Sequence, residues 1–378
     1  MRAAESVPPH HPDTADPVDL VRAAVEAGTV PGAVLVTGRS AADPGRVFAH
    51  GRTAAGDGGH PVTADTVYDL ASLTKVVATT PAVLRLVDEG ALALDDPVQR
   101  HLPGFTGAGK SEVTVRQLLS HSSGLPPHRD FWLLPCSPAE RLAAVAREPL
   151  EHPPGKVVRY SDLGFILLGE IVAAVTGQPL DQAVRALVLD PLGLTETGYR
   201  PSAEWSARCA ATEAPPVGGE PKVGVVHDDN AEGLGGLAGH AGLFGTAPDL
   251  ARYLRLGWLA PQSPVLSAAI REEALRCQTT GLDGVRGLGW TLRGDTWDHT
   301  RDPWPGSAAG HTGFTGTSVA FDPVSGAWVV LLTNAVHLGR GPRTRELRRA
   351  VHAAVVTYPR SPAPASEVHT IGTRSSDE

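Results

Sequence analysis

Sulfur and lysine are scarce in this 378-residue chain. The one methionine is Met1, and the three cysteines, Cys136, Cys209 and Cys277, are widely spaced and odd in number. That argues against a disulfide framework and suits free thiols in a reducing compartment. No cysteine stands at ligand spacing from a histidine, so no zinc or other metal site is expected. No apolar run approaches the length of a membrane helix; those around 165–168 and 328–332 are short enough for a core. Neither sign of charge dominates, since 33 basic against 41 acidic side chains leave −8. The chain therefore carries no electrostatic footprint for nucleic acid or an anionic membrane. Residues 1–17 are polar and proline-rich, without the apolar centre of a signal peptide, so the cytoplasm is the expected compartment.

The four lysines are Lys75, Lys110, Lys156 and Lys222, and only Lys75 has a serine three places before it. On a helix Ser72 and Lys75 share a face. A serine hydroxyl is a weak nucleophile until a base takes its proton, and a lysine whose pKa is lowered by burial or a nearby cation can be that base. A helix N-terminus adds free N–H groups and a positive dipole. The alternative is a helix-start serine beside a solvated lysine.

The chain is long enough to bury a large core. Residues 1–15 read as disordered. Asp16-Pro17 caps a helix that stops at Gly28, and 33–37 and 46–50 form a hairpin. The helix carrying Lys75 ends at Gly90, a good residue just past a helix end. Thr114-x-x-Gln117 and Ser137-x-x-Glu140 are capping boxes. A buried helix spans 163–175, another about 180–189, and two more open near Thr246 and Leu266. Residues 195–240 look like a long irregular glycine-rich loop. Strands are expected at 289–293, 316–322 and 327–334, the last two as a hairpin, then a basic helix at 343–356. The tail 359–378 reads as mobile. Strands at both ends with helices between predict an α+β fold. One antiparallel sheet (about 16–70 and 280–358) would be flanked by helices and joined to a helical lobe (about 76–260), all within one catalytic domain, 16–358.

A nucleophilic Ser72 needs a second proton carrier and an oxyanion hole. Arg159-Tyr160-Ser161-Asp162, on a turn before the buried helix, offers a phenol that can shuttle protons. Gly310-His311-Thr312-Gly313-Phe314, ahead of the C-terminal hairpin, lets the backbone approach a ligand closely.

The order Ser-x-x-Lys, Tyr-x-Asp, His-Thr-Gly resembles the serine β-lactamase and penicillin-binding-protein superfamily. Within it the chain is similar to the class C β-lactamase, DD-carboxypeptidase and esterase branch, over roughly residues 18–358. Leu118–Leu125 and Gly239–Asp249 add to the likeness. The resemblance implies that Ser72 is acylated, with Lys75 as its partner base. Tyr160 would activate the nucleophile or the deacylating water or alcohol, and the N–H groups of Ser72 and Phe314 would form the oxyanion hole. His311-Thr312-Gly313 takes the place of Lys-Thr-Gly, where His311 would orient substrate or tune Tyr160. Asp162 stands where Asn is usual. An ionised carboxylate only accepts, so it cannot hold a substrate amide oxygen as Asn does; it can pair with Lys75 or hold it charged.

Other residues have plainer readings. His121 is a structural histidine bonding a loop backbone. His227-Asp228-Asp229-Asn230 and His240 lack regular metal spacing, and His240 is placed among the substrate-binding residues with Asp162, Thr312 and Gly313. Asp95-Asp96-Pro97 is a turn. Trp297, Trp304 and Trp132 either line an apolar acyl pocket or serve the core or surface loops. The expectation is a serine hydrolase or acyl-transfer enzyme acting through acyl-Ser72 on a small ester, amide or D-amino-acid substrate. The alternatives are a biosynthetic transacylase or transesterase, a DD-carboxypeptidase or β-lactamase, and last a non-catalytic sensor. No cofactor, nucleic acid or membrane partner is expected; the partners are an acyl substrate and water, an amine or an alcohol.

Overall fold

In the computed structural model, which describes residues 15–213 and 219–358, the chain enters through the helix Pro17–Glu26, capped by Asp16 accepting from the Val18 N–H at 2.8 Å. The expectation of disorder over 1–15, apart from residue 15, and that of mobility over 359–378 lie outside the described residues.

Six strands form the main antiparallel sheet: β1 (Gly32–Gly38), β2 (Arg46–Gly51), β6 (Thr291–Leu292), β7 (Ala309–Thr312), β8 (Ser318–Phe321) and β9 (Trp328–Thr333). Their order is β2-β1-β9-β8-β7-β6, so the two ends of the chain meet where Leu35 faces Leu331. Alternate residues of a strand face opposite sides. Val34, Val36, Val330 and Leu332 thus join the core shared with the helical lobe, around Phe165, Leu167 and Trp290. Leu35, Val329 and Leu331 face the other way, onto Val18 and Val21 of the first helix and Leu347, Val351 and Val355 of the last, Thr344–Thr357. Burial on both faces explains the unbroken apolar run of β9. This is the expected α+β arrangement.

Three local expectations need correction. The segment Gly310–Thr312, expected only to stand ahead of the hairpin, is itself a strand, β7, pairing with both β6 and β8. The stretch 195–240 contains β4 (Thr197–Tyr199), which with β3 (Tyr68–Asp69) and β5 (Leu243–Gly245) makes a second, three-stranded sheet in the order β3-β5-β4. Strands this short carry no alternation to read. Finally, the helix after Ser72 opens as a π-helical segment, Lys75–Thr79, before becoming α-helical over Thr80–Asp88. Such widened turns are frequent at functional sites.

Candidate active site

Asp69, at the end of β3, shapes the turn that presents Ser72. Its carboxylate accepts from the Ala71 N–H at 2.8 Å and from the His227 N–H at 2.7 Å. Ala71 is held at φ 48°, a left-handed conformation that an alanine adopts at a cost of roughly 1–2 kcal/mol. The N–H groups of Leu73, Thr74 and Lys75 then close tight turns onto the carbonyls of Leu70, Ala71 and Ser72. Among the described residues, the Ser72 N–H has no acceptor.

Lys75 is fully buried. Its three ammonium protons meet three acceptors: Ser72 Oγ at 3.0 Å, the His240 carbonyl at 3.0 Å and Asp162 Oδ1 at 2.8 Å. Burial alone pushes the amine toward neutrality, but the Asp162 charge and the neighbouring Tyr160 outweigh it and hold Lys75 above its ordinary pKa. The same pairing, against burial, keeps the Asp162 carboxyl well below the usual carboxylate range. Lys75 is therefore a cation at rest, rather than the neutral base the motif implies.

Glycine lets the carbonyl of His240 reach that ammonium. A Cβ on Gly239 would lie 2.1 Å from the Phe165 carbonyl oxygen, inside the helix Asp162–Thr176, and 3.0 Å from Gly169 Cα. The loop therefore packs backbone against backbone.

Tyr160 and Asp162 are fixed by the segment 121–127. The Arg159 N–H donates to the His121 carbonyl, the Ser161 N–H to His121 Nδ1 at 3.1 Å, and the Asp162 N–H to the Pro127 carbonyl. Ser161 caps the following helix through Gly164 and donates to the Pro126 carbonyl. The Lys75 ammonium lies 5.0 Å from the Tyr160 ring centre, close enough for its charge to act on the phenol. Burial raises the phenol pKa more than Lys75 lowers it, so Tyr160 stays protonated.

The third wall is the β7–β8 turn. Thr315 and Thr317 donate their hydroxyls to the carbonyls of Asp69 and Leu70, at 2.8 and 3.1 Å, tying this turn to the strand before Ser72. Gly313 permits the contact, since a Cβ there would lie 2.6 Å from the Leu70 carbonyl oxygen. From the last helix, Arg348 donates to the carbonyls of Gly313 and Thr317 at 2.6 and 2.9 Å. The Phe314 N–H, like that of Ser72, has no acceptor among the described residues. His311, 6.0 Å from Tyr160 between ring centres, donates Nδ1–H to the Thr312 carbonyl; burial, Lys75 and Arg286 keep it neutral. Ser72, Lys75, Tyr160, Asp162 and the His311–Phe314 turn thus converge.

A family model described as Beta-lactamase matches residues 18–354. The chain belongs to the Beta-lactamase family. A relative from Escherichia coli K12, named "Putative D-alanyl-D-alanine carboxypeptidase", is 35% identical over 315 residues, covering 73% of this chain and 70% of its own length. Among solved structures, "EstCE1, a hydrolase with promiscuous acyltransferase activity" superposes with a TM-score of 0.71 at 26% identity, covering 89% of this chain and 97% of that one. SurE superposes at 0.70 with 28% identity, over 93% of this chain and 78% of that one. This Beta-lactamase family chain is accordingly an enzyme of the serine hydrolase and acyltransferase class.

His240 does not occupy the position expected of a substrate-binding residue. Its ring is 1% exposed and donates Nε2–H to Asp228 at 2.8 Å, while its carbonyl positions Lys75. His121 has the structural place expected of it. Trp304 is buried against the last helix, donating to the His352 carbonyl, whereas Trp297 lies over Tyr160.

Two neighbours of the site went unread in the sequence. His128, half-exposed, sits with Nδ1 3.7 Å from Asp162 Oδ2 and Nε2 3.2 Å from Asp130. The nearby Asp162 carboxylate raises its pKa. Arg286, buried and paired with Asp295 at 3.0 Å, places a second positive charge near His121 and His311. Neither belongs to a local motif. Among the described residues no cluster of three His, Cys, Asp or Glu side chains is arranged to hold a metal ion.

Proposed function

We propose that Ser72 attacks the carbonyl of a small ester and holds its acyl group until water, an alcohol or an amine takes it. The observation that carries this reading is the Lys75 ammonium, within 3.0 Å of Ser72 Oγ and locked there by Asp162. A lysine that stays charged cannot accept the serine proton, so Tyr160 is the shuttle. Its oxygen takes the Ser72 proton as its own proton passes to the departing oxygen. The ammonium stabilises the negative charge that builds on Ser72 Oγ and the phenol between those events. The N–H groups of Ser72 and Phe314, both without an acceptor among the described residues, supply the oxyanion hole. His311 and Thr312 border the substrate.

Asp162 favours esters over amides. The residue in the amide-recognising position offers only acceptor oxygens, one already committed to Lys75, so a substrate amide carbonyl finds no donor there. The carboxypeptidase name of the Escherichia coli relative supports a second reading, cleavage of a D-amino-acid peptide. The experiment is turnover of p-nitrophenyl esters, a D-alanyl-D-alanine peptide and a fluorescent penicillin by the protein and by Ser72→Ala. Ester turnover that needs Ser72 and exceeds peptide and penicillin turnover is the expected result. Peptide turnover above ester turnover would select the carboxypeptidase reading, and turnover unaffected by Ser72→Ala would overturn both.

A further inference from the structure

Trp297 is 64% exposed, although the loop that carries it is firmly pinned. Its N–H donates to Asp295 Oδ1 at 2.8 Å, and Asp295 is itself held by buried Arg286 and by the Val285 N–H. Asp298 accepts from the N–H groups of Gly294 and Thr300 and from Arg293. A large aromatic side chain on so constrained a loop is held in water rather than tucked into the core, where most of its kind would go. The indole is nearly parallel to the Tyr160 ring, 6.2 Å between centres and 25° between planes. Around Tyr160 also stand His121 at 4.5 Å, His311 at 6.0 Å and the Lys75 ammonium at 5.0 Å.

We infer that Trp297 selects the alcohol or amine half of the reaction, the group that leaves or arrives through Tyr160, and that it favours one with a flat apolar body. This rests on the acyl-Ser72 reading. In acylation the ester C–O bond breaks and the departing oxygen takes the Tyr160 proton, so the leaving group lies against the phenol and within reach of the indole. In transfer the same path runs backward. The acceptor oxygen bonds to the acyl carbon, its proton passes to Tyr160, the proton of Tyr160 returns to Ser72 Oγ, and the bond from Ser72 to the acyl carbon breaks. An aryl or benzyl group stacked on Trp297 positions the acceptor hydroxyl at Tyr160 and displaces the water that would otherwise compete. The acyl half is on the side of the Ser72 and Phe314 N–H groups and gains nothing from the indole.

The test compares two pairs of substrates in the unmutated protein, Trp297→Ala and Trp297→Phe. Benzyl acetate against ethyl acetate varies the leaving group; ethyl phenylacetate against ethyl acetate varies the acyl group. Trp297→Ala is expected to reduce the benzyl-over-ethyl preference in kcat/KM by about two- to tenfold, the range of an aromatic stack, chiefly through KM. It should reduce to the same extent the yield of benzyl ester over free acid when benzyl alcohol competes with water for the acyl-enzyme. Trp297→Phe should recover most of both effects. An unchanged leaving-group preference, or an equal loss in the acyl pair, overturns the inference while leaving acyl-Ser72 chemistry standing. Failure of the unmutated protein to turn over any of these esters, without acylation of Ser72, overturns the parent reading as well.

Discussion

Replacing Asp162 with Asn removes one charge and almost no volume, and it isolates the carboxylate that pairs with Lys75. Two unit charges 2.8 Å apart attract by about 6 kcal/mol at an effective dielectric of about 20. That attraction is what overcomes the burial of Lys75, whose side chain is wholly enclosed. Without it, burial governs, and Lys75 falls below its ordinary pKa of 10.5 toward the range in which the enzyme is assayed. In the unmutated protein the pair's contribution to stability is whole between the ordinary values of 3.8 and 10.5. It is lost as pH falls through the depressed Asp162 pKa or rises through the elevated Lys75 pKa. In Asp162→Asn the unfolded chain holds the lysine proton more tightly than the native protein, so stability instead rises with pH up to about 10.5. At neutral pH the variant is expected to lose about 3–5 kcal/mol, the usual cost of leaving a buried charge unpaired. Urea unfolding at a series of pH values reads this directly. In kcat/KM for a p-nitrophenyl ester, the variant should show a new ionisation above which activity falls, because the ammonium has gone. Activity rising with that ionisation would show Lys75 to be the base after all. A variant matching the unmutated protein in stability and pH profile would refute the claim that Asp162 holds the charge.

Two further outcomes follow from the same geometry. Gly239→Ala places a methyl 2.1 Å from the Phe165 carbonyl oxygen, so urea unfolding should show a loss of about 1–3 kcal/mol. Ester kcat should fall more than KM rises, as the His240 carbonyl moves off Lys75. Burial pushes His299, beneath β7 and beside His352, down to about 4. Its contribution to stability is therefore present above 6.5 and lost as pH falls from 6.5 toward 4. His299→Gln keeps a donor for the Val319 carbonyl and should flatten the acid decline of stability by up to about 3 kcal/mol over that interval, measured by urea unfolding.

The parts of this molecule legible in the sequence are those that local chemistry specifies. The two capping boxes, Thr114 with Gln117 and Ser137 with Glu140, stand where their spacing puts them. The long apolar strands β1 and β9 read directly from their β-branched runs. Ser72 and Lys75 were legible because one helical turn separates them, and Asp162 because its chemistry differs from that of Asn. What escaped is made by contacts between distant segments. β3, β4 and β5 are two or three residues each and exist because they pair with one another. The role of His240 lies in a main-chain carbonyl, which no side-chain pattern reveals. His128 and Arg286 reach the site from loops with no motif of their own. The resting charge of Lys75 depends on a residue 87 positions away in sequence and 2.8 Å away in space.

The central claim is that Ser72 becomes covalently acylated, and intact-mass spectrometry after exposure to a fluorophosphonate, followed by peptide mapping, tests it most directly. The account predicts a single adduct on the peptide containing Ser72, absent from Ser72→Ala and slowed in Tyr160→Phe. An adduct on any other residue, or a folded protein that takes up none, would contradict it.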